Sequence, residues 1–166
     1  MALCRAPLSY AGTGGALVRQ AKFAADRAAL VFLARAMVPC VAEWARGPGR
    51  RAVVTSVPLH PHKLRTRGID QAAVLAELVA RRLGLSFLPH GLRRTTDTLP
   101  QGDVRVVSRT RNVAGAFEVR RRGALDGRTV LLVDDVRTSG STAGECARVL
   151  QRAGVRTVAL LTAVQA

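Results

Sequence analysis

The feature that most constrains this chain is a short apolar run that leads through two acids into a hydroxyl-rich turn. Val130–Val133 is continuous and apolar, which is typical of a parallel strand covered on both faces. Asp134 and Asp135 follow it directly, so we expect them at the carboxyl end of that strand. Because open α/β sheets bind ligands just beyond the carboxyl ends of their strands, this pair of acids is placed for binding or chemistry.

The next residues, Thr138–Thr142, form what we call the hydroxyl turn. They provide four hydroxyl groups, several backbone N–H groups and Gly140, which can adopt a positive φ. Apolar positions then recur at helical spacing and predict a helix that begins near Ser141 and ends before Gly154. A phosphate group held by the turn would face the positive end of this helix.

Acids beside a phosphate site would repel the anion unless they face another group. The vicinal hydroxyl groups of a ribose, or a bound divalent cation, are suitable partners, so the segment favours a ribose 5-phosphate ligand. Neither a Walker loop nor a dinucleotide-binding glycine fingerprint is present. The alternative is a strand, turn and helix in which Asp, Ser and Thr serve only as caps. The predicted ligand-binding residues are Asp134, Asp135, Val136, Arg137, Thr138, Ser139, Gly140, Ser141 and Thr142.

The composition predicts one folded domain in a reducing compartment. The chain has 166 residues, and 48% of them are apolar, which is enough for a proper core. Cys4, Cys40 and Cys146 are widely spaced and odd in number, so we expect neither a disulfide framework nor a CxxC metal site. The most apolar N-terminal run, residues 28–41, is too short to span a bilayer, and we predict a cytoplasmic protein without a membrane span.

The net charge of +15, from 26 Lys and Arg against 11 Asp and Glu, predicts a surface that attracts polyanions. Single-stranded DNA is one candidate partner. Solvated arginine-rich faces and a polyphosphate substrate are the alternatives, and an aromatic content of 4% weakens the case for a base-stacking platform. Charge alone therefore leaves nucleic-acid binding open.

The N-terminal part of the chain predicts packing helices. Residues 1–12 have no regular pattern. Residues 17–23 are predicted to form a short helical stretch, and apolar positions recur at three- and four-residue steps over residues 30–44. Asp26 is the predicted N-cap of the second helix, and Pro39 should kink or break it.

A second site element follows the buried strand predicted at residues 51–59. Residues 60–68 are predicted to form a basic loop in which Lys63, Arg65 and Arg67 alternate and can bind a pyrophosphate group. The alternative is a solvated loop before a helix.

The rest of the chain predicts alternating helices and strands. A helix is expected at residues 69–83 and ends at Gly84, and strands are expected at residues 85–89, 116–119 and 157–163. Strands that alternate with helices predict a parallel α/β sheet flanked by helices. We expect an N-terminal helical segment over residues 1–50 and the sheet domain over residues 51–166.

Residues 93–110 lack periodicity and contain many hydrogen-bond donors. A loop of this length in a compact domain is either disordered or functional, and an active-site lid is the functional interpretation. Arg94, Thr98 and Gln101 are its predicted site residues.

The segment Thr129–Thr142 closely resembles the phosphoribosyl pyrophosphate (PRPP) motif of type I phosphoribosyltransferases. That motif has an apolar strand, two acids and a Thr-Thr-Gly-x-Thr type loop, which Ser139 and Ser141 vary conservatively. Four further segments resemble successive signatures of the ComF family within the same superfamily. They are Val57-Pro58-Leu59-His60, Arg65-x-Arg67-Gly68-x-x-Gln71-Ala72, Thr98-x-x-Gln101 and Arg111-Asn112-Val113-x-Gly115-Ala116-Phe117.

The resemblance implies a type I phosphoribosyltransferase-like protein that binds PRPP or a phosphoribosyl nucleotide and transfers the phosphoribosyl group to an unknown acceptor. Asp134 and Asp135 would be the catalytic acids that hold the ribose hydroxyl groups. Mg²⁺ would bind through the pyrophosphate, without direct protein ligands. The family setting is bacterial and linked to natural competence, DNA uptake and incoming single-stranded DNA. A non-catalytic DNA-binding module and a ligand sensor without turnover are the alternatives.

Two departures from the ComF pattern affect these expectations. Members usually begin with a four-cysteine zinc module, whereas only Cys4 is present here, so we expect either no zinc or an incomplete start of the chain. The position before Gln71 is usually Asn, and Asp70 in its place keeps a helix cap but can alter a ligand contact. Exposed apolar positions on the N-terminal helices leave a homodimer open.

Overall fold

The computed structural model describes residues 1–23, 26–47, 52–95, 113–120 and 122–166. The strands along these residues are β1 (Leu3–Arg5), β2 (Leu8–Ser9), β3 (Ala52–Ser56), β4 (Ser86–Phe87), β5 (Leu92–Arg94), β6 (Phe117–Val119), β7 (Thr129–Arg137) and β8 (Thr157–Gln165). The α-helices are α1 (Thr13–Phe23), α2 (Arg27–Met37), α3 (Ala42–Arg46), α4 (Pro61–Arg67), α5 (Gln71–Leu83), α6 (Arg122–Leu125) and α7 (Ser141–Arg152), and a 3₁₀ turn covers Val38–Cys40.

Six strands form one sheet in the order β1-β8-β7-β3-β4, and β2 also pairs with β8. All of these pairings are parallel. Residues Val130–Val133 of β7 are fully buried, because α1, α2 and α5 pack on one face of the sheet and α7 packs on the other. The structure therefore confirms the predicted parallel sheet flanked by helices.

Strand β7 is longer than the sequence pattern predicts. It continues through both acids to Arg137, because β8 is equally extended and pairs with it as far as Gln165. Asp134 and Asp135 therefore lie near the carboxyl end of the strand, as expected, and the strand continues for two residues beyond them. Successive side chains of a strand point to opposite faces, so Asp134 follows Leu132 toward α7 while Asp135 follows Val133 toward α1, α2 and α5.

The N-terminal region differs from its prediction in one respect. Residues 1–12, expected to be irregular, contain β1 and β2, which pair with β8. These strands are too short to show a periodic pattern. The helical predictions are confirmed: Asp26 caps α2 by accepting from Ala28 N at 2.8 Å, and α2 ends at Met37, where the turn that contains Pro39 interrupts it.

The basic segment at residues 60–68, predicted to be a loop, is mainly helix α4. Pro61 occupies the first turn, where the missing N–H is tolerated, and the His60 side chain accepts from His62 N at 3.3 Å. Gly68 ends the helix in the left-handed conformation with φ of 71°. Because successive residues of a helix point in different directions, the basic side chains of this segment do not all lie on one side.

Strands β5 and β6 form a separate antiparallel pair beside the main sheet. Arg93 and Arg94, predicted to begin a long loop, therefore lie in a strand. The strand predicted at residues 116–119 is present as β6, Phe117–Val119, and lies outside the parallel sheet. Thr98 and Gln101 of the predicted lid lie outside the described residues.

Candidate functional site

The hydroxyl turn joins the end of β7 to the start of α7. Gly140 has φ of 77°, a conformation that glycine adopts without steric cost, and α7 begins at Ser141 as predicted. The hydroxyls of Ser139 and Ser141 are 2.9 Å apart. The turn borders a small cleft of about 50 Å³, the turn cleft, lined by Asp134, Val136, Arg137, Thr138, Ser139, Gly140, Ser141, Thr142, Ala143 and Thr162.

Two polar atoms in the lining of the turn cleft are buried and lack a hydrogen-bond partner. They are Arg137 Nε and Thr162 Oγ1, and within the described parts of the chain no other buried side-chain nitrogen or oxygen is in this state. Each such group costs stability, and native proteins leave few of them. Both atoms can donate a hydrogen bond to an anion. Together with the N-terminus of α7, they make the turn cleft suited to a phosphate group.

The two acids, which we call the acid pair, are held close together by the backbone. Asp134 Oδ1 accepts from the N–H of Asp135 at 2.9 Å. Burial foremost, and then the negative charge of Asp135, raise the pKa of Asp134 well above its usual range. Asp134 therefore holds its proton more readily than an aspartate in water does.

Lys22 of α1 forms an ion pair with Asp135, with Nζ 3.0 Å from Oδ2, and both side chains are mostly buried. The sequence analysis did not select Lys22. One feature of the sequence could have singled it out: Lys22 and Lys63 are the only lysines among 26 basic residues. Lys22 and the acid pair line a cleft of about 130 Å³, the acid cleft. Its other lining residues are Val57, Pro58, Leu59, Arg67, Asp70, Gln71, Ala72, Arg94 and Thr142.

Asp70 joins the acid cleft as the N-cap of α5. Its carboxylate accepts from Ala73 N at 3.0 Å, so the aspartate fulfils the predicted capping role. Burial foremost raises the pKa of Asp70, and the charge of Asp135 acts in the same direction. A third carboxyl group therefore borders the cleft beside the acid pair.

Helix α4 separates the three cations predicted to bind pyrophosphate. Arg67 lines the acid cleft. Lys63 is one turn earlier on the same side of the helix, whereas Arg65 is exposed and lies on the opposite side because of the helical period. Their proposed role stays a prediction, and Arg67 is the member that the fold places beside the acid pair.

Arg94 of β5 borders both the acid cleft and a larger cleft of about 590 Å³, the large cleft. Its guanidinium carbon lies 5.5 Å from the centre of the Phe117 ring, a cation–π distance. Pro58, Leu59 and Asp70 also line both clefts, so the two are neighbours. The large cleft has room for a group bigger than a sugar next to the acid pair.

The buried side chain of Glu145 connects α7 to the segment before β6. Glu145 Oε1 accepts from Gly115 N at 2.8 Å, and the same carboxylate pairs with Arg148. The hydrogen bond from Arg148 foremost, and then that from Gly115, lower the pKa of Glu145 against the effect of burial. Helix α7, which begins at the hydroxyl turn, is thereby joined to the hairpin that contains Arg94.

Within the described residues, no group of three or more His, Cys, Asp and Glu side chains is arranged to hold a metal ion. The same part of the chain contains no helix that is both long enough and apolar enough to cross a membrane.

Comparison with known proteins defines the class. Residues 69–166 match the phosphoribosyl transferase domain family, and the chain belongs to that family. Adenine phosphoribosyltransferase from Saccharomyces cerevisiae shares the fold, with a TM-score of 0.52 at 16% identity over 87% of this chain and 72% of the enzyme. Glutamine PRPP amidotransferase from B. subtilis gives 0.51 at 19% identity over 81% of this chain and 26% of that protein. The predicted type I phosphoribosyltransferase fold is confirmed.

The sequence relatives confirm the narrower resemblance to ComF. DNA utilization protein YhgH of Salmonella typhimurium is 32% identical over 86% of this chain, and Competence protein F of Haemophilus influenzae is 31% identical over 63% of it. The chain spans 63% of the length of the Salmonella relative and 46% of that of the Haemophilus protein.

Proposed function

We propose that this chain binds PRPP, or a related phosphoribosyl nucleotide, across the turn cleft and the acid cleft, which share Asp134 and Thr142 in their linings. The observation that supports this most directly is the pair of buried donors without a hydrogen-bond partner in the lining of the turn cleft, Arg137 Nε and Thr162 Oγ1. A phosphoryl group in the turn cleft would accept from both and from the N–H groups at the start of α7. The acid pair lies next to it, where ribose hydroxyl groups would donate.

The proposed reaction is displacement of pyrophosphate from the anomeric carbon by an acceptor. The carbon–oxygen bond to pyrophosphate breaks as the bond to the acceptor forms. Mg²⁺, bound to the pyrophosphate oxygens, would neutralise the charge that develops on the leaving group. The acid pair is already engaged by the Asp135 N–H and by Lys22, which fits a metal held by the ligand rather than by the protein. The protein residues would mainly position the sugar and exclude water.

Calorimetric titration with PRPP and Mg²⁺ tests this proposal. We expect saturable binding by the unmodified chain and at least tenfold weaker binding by Asp134→Asn and Asp135→Asn. Glu77→Gln, which neutralises an exposed carboxylate on α5, is the matched control and should bind normally. No binding by the unmodified chain, or equal binding by the acid-pair variants, would refute the site. Pyrophosphate release across a panel of nitrogenous bases then separates an enzyme from a sensor.

A second candidate function is binding of single-stranded DNA in a competence or DNA-uptake setting. It is favoured by the net charge of +15 and by the names of the relatives, which refer to DNA utilization and competence. Binding through arginine and phosphate contacts should weaken steeply with salt, with a linear relation between log affinity and log salt concentration. DNA binding that persists in Asp134→Asn but is lost when surface arginines are replaced would assign it to a separate surface.

The proposed setting is the cytoplasm, which is compatible with three free cysteines. A homodimer is proposed through the N-terminal helices, where Phe32 of α2 is 55% exposed. Analytical ultracentrifugation of the unmodified chain and of Phe32→Ser would test this association.

A further inference from the structure

The site of the proposed function contains one residue from outside the matched family region, and this residue is Lys22. The PRPP-like motif and the family match both lie after residue 68, whereas Lys22 is near the end of α1. Its ammonium group is 3.0 Å from Asp135 Oδ2 and borders the same cleft as Asp134. A lysine that crosses from the N-terminal segment to the acid pair calls for a physical explanation.

The position of Lys22 is set by contacts at both ends of α1. At the start of the helix, a Cβ on Gly14 would clash with Ser9 O, so the helix lies directly against β2. Strand β2 is in turn paired with β8, with Ser9 opposite Gln165. At the end of the helix, the buried side chain of Gln71 donates to Ala21 O at 3.5 Å. The backbone next to Lys22 is therefore attached to the sheet and to α5.

The charges around the acid pair favour a nearby cation. Asp134, Asp135 and Asp70 all line the acid cleft, and like charges that share a cleft repel one another; Arg67 and Arg94 border the same cleft, but Lys22 is the cation that forms the ion pair with Asp135. Lys22 is mostly buried, with 23% of its side chain exposed, so solvent screens its ion pair less than a surface pair. A buried charge that loses its partner is strongly unfavourable. Removing Lys22 would thus leave Asp135 without the partner that holds its carboxylate in place.

We propose that Lys22 is a positioning residue of the sugar-binding site, which holds the Asp135 carboxylate in the acid cleft so that the N-terminal segment completes the site. This inference rests on the proposed function. It adds that α1, which precedes the matched family region, is required for ligand binding. The lysine acts through Asp135 and is not itself assigned to chemistry.

The proposal also determines how ligand binding depends on pH. The charged and titratable groups that line the two clefts with Asp134 or interact with it are Asp135, Lys22, Arg67, Asp70, Arg94, Arg137 and Cys146. Burial and the charge of Asp135 raise the pKa of Asp134, and the Lys22 ammonium opposes them. Without Lys22, the pKa of Asp134 would rise further, so Asp134 would hold its proton more tightly. If ligand binding requires ionised carboxylates, it would then be lost at a higher pH on acidification than in the unmodified chain.

The test compares Lys22→Met with Lys22→Arg, and Arg19→Met serves as the matched control. Arg19 is an exposed residue of the same helix, so its replacement removes the same charge without touching the acid cleft. We expect Lys22→Met to bind PRPP with Mg²⁺ at least tenfold more weakly than the unmodified chain does. As the pH is lowered, Lys22→Met should also lose binding at a higher pH than the unmodified chain. Lys22→Arg should recover most of the affinity, and Arg19→Met should bind within about twofold of the unmodified chain.

A ligand-free measurement separates this inference from the proposed function. Carboxyl-carbon NMR titration of Asp134 should show protonation at a higher pH in Lys22→Met than in the unmodified chain or in Arg19→Met. If PRPP fails to bind the unmodified chain, the proposed function fails while this titration still tests the ion pair. Equal affinity and equal titration in Lys22→Met would overturn the role of Lys22. Should Lys22→Met not fold, Lys22→Gln, which keeps a hydrogen-bond donor, replaces it in both measurements.

Discussion

Thr162 of β8 lies directly beside Asp134 of β7 in the parallel ladder, and both residues line the turn cleft. The Thr162 hydroxyl is fully buried without a partner, and burial raises the pKa of Asp134 because its charged form is poorly solvated. The burial of these two polar groups is unfavourable, and it lowers the stability of the ligand-free protein. A ligand that satisfies both groups would recover that free energy, which is the usual arrangement of a binding site.

Replacing Thr162 by Val should separate stability from ligand binding. Val has nearly the same shape and removes the unpartnered hydroxyl, so we expect unfolding free energy to stay equal or to rise by about 1 kcal/mol. PRPP binding should weaken about tenfold because one donor to the phosphoryl group is lost. Chemical denaturation and calorimetry measure the two effects. Thr157→Val, at the start of the same strand, is the control. Unchanged affinity in Thr162→Val would mean that the hydroxyl does not contact the ligand.

Asp134→Asn should make the ligand-free protein more stable at neutral pH. The folded state binds the Asp134 proton more tightly than the unfolded chain does, so stability falls as pH rises from the usual aspartate pKa of about 4 toward the raised value. Asn carries no such penalty and its oxygen can still accept from Asp135 N. At pH 7 we expect the variant to have a higher Tm than the parent, by about 2–4 °C for each kcal/mol of added unfolding free energy. Near pH 4 the two Tm values should differ little. Calorimetric scans at both pH values measure this, and a variant that is less stable than the parent at pH 7 contradicts it.

Asp70 can be tested with two substitutions that separate its charge from its cap. Asn is an equally good N-cap, so Asp70→Asn should keep the hydrogen bond to Ala73 N and remove a charge that burial disfavours. We expect equal or greater stability at pH 7. Asp70→Ala loses the cap and should cost about 1 kcal/mol. Urea unfolding of both variants measures the difference, and equal destabilisation would show that the charge itself is required.

Glu145→Ala should destabilise the protein because it leaves the Gly115 N–H without its acceptor. The expected loss is about 1–3 kcal/mol at pH 7. The hydrogen bond from Arg148 lowers the pKa of Glu145, so this contribution is present above the usual glutamate pKa and is lost on acidification through the lowered value. The difference in unfolding free energy between Glu145→Ala and the parent should therefore become smaller at low pH. Glu77→Gln breaks an exposed pair with Arg81 and should change stability by less than about 0.5 kcal/mol at any pH.

Much of the local structure was predictable because it depends on neighbouring residues. The strand before the acids, the turn at Gly140 and the helix from Ser141 were all predicted, since each follows from apolar spacing and backbone preference. The caps at Asp26 and Gly84 are confirmed for the same reason.

The wrong predictions concern segments whose local signals conflict or are too short. In residues 60–68, alternating basic residues suggested an extended loop, yet Pro61 at the first helical turn and the His60 cap favour a helix. In residues 1–12, strands of two and three residues show no period and exist because the edge of β8 can pair with them.

The sequence by itself determined the strand, the acid pair and the hydroxyl turn, because these are contiguous and their order is visible along the chain. Only the tertiary structure decided that Lys22 reaches Asp135, that Thr162 lies beside Asp134 and that Arg67 rather than Arg65 borders the acid cleft. Those contacts depend on the register of β7 with β8 and on where α1 and α4 pack. Burial of apolar surface drives that packing without regard to distance along the chain, so no local pattern records which side chains it brings together.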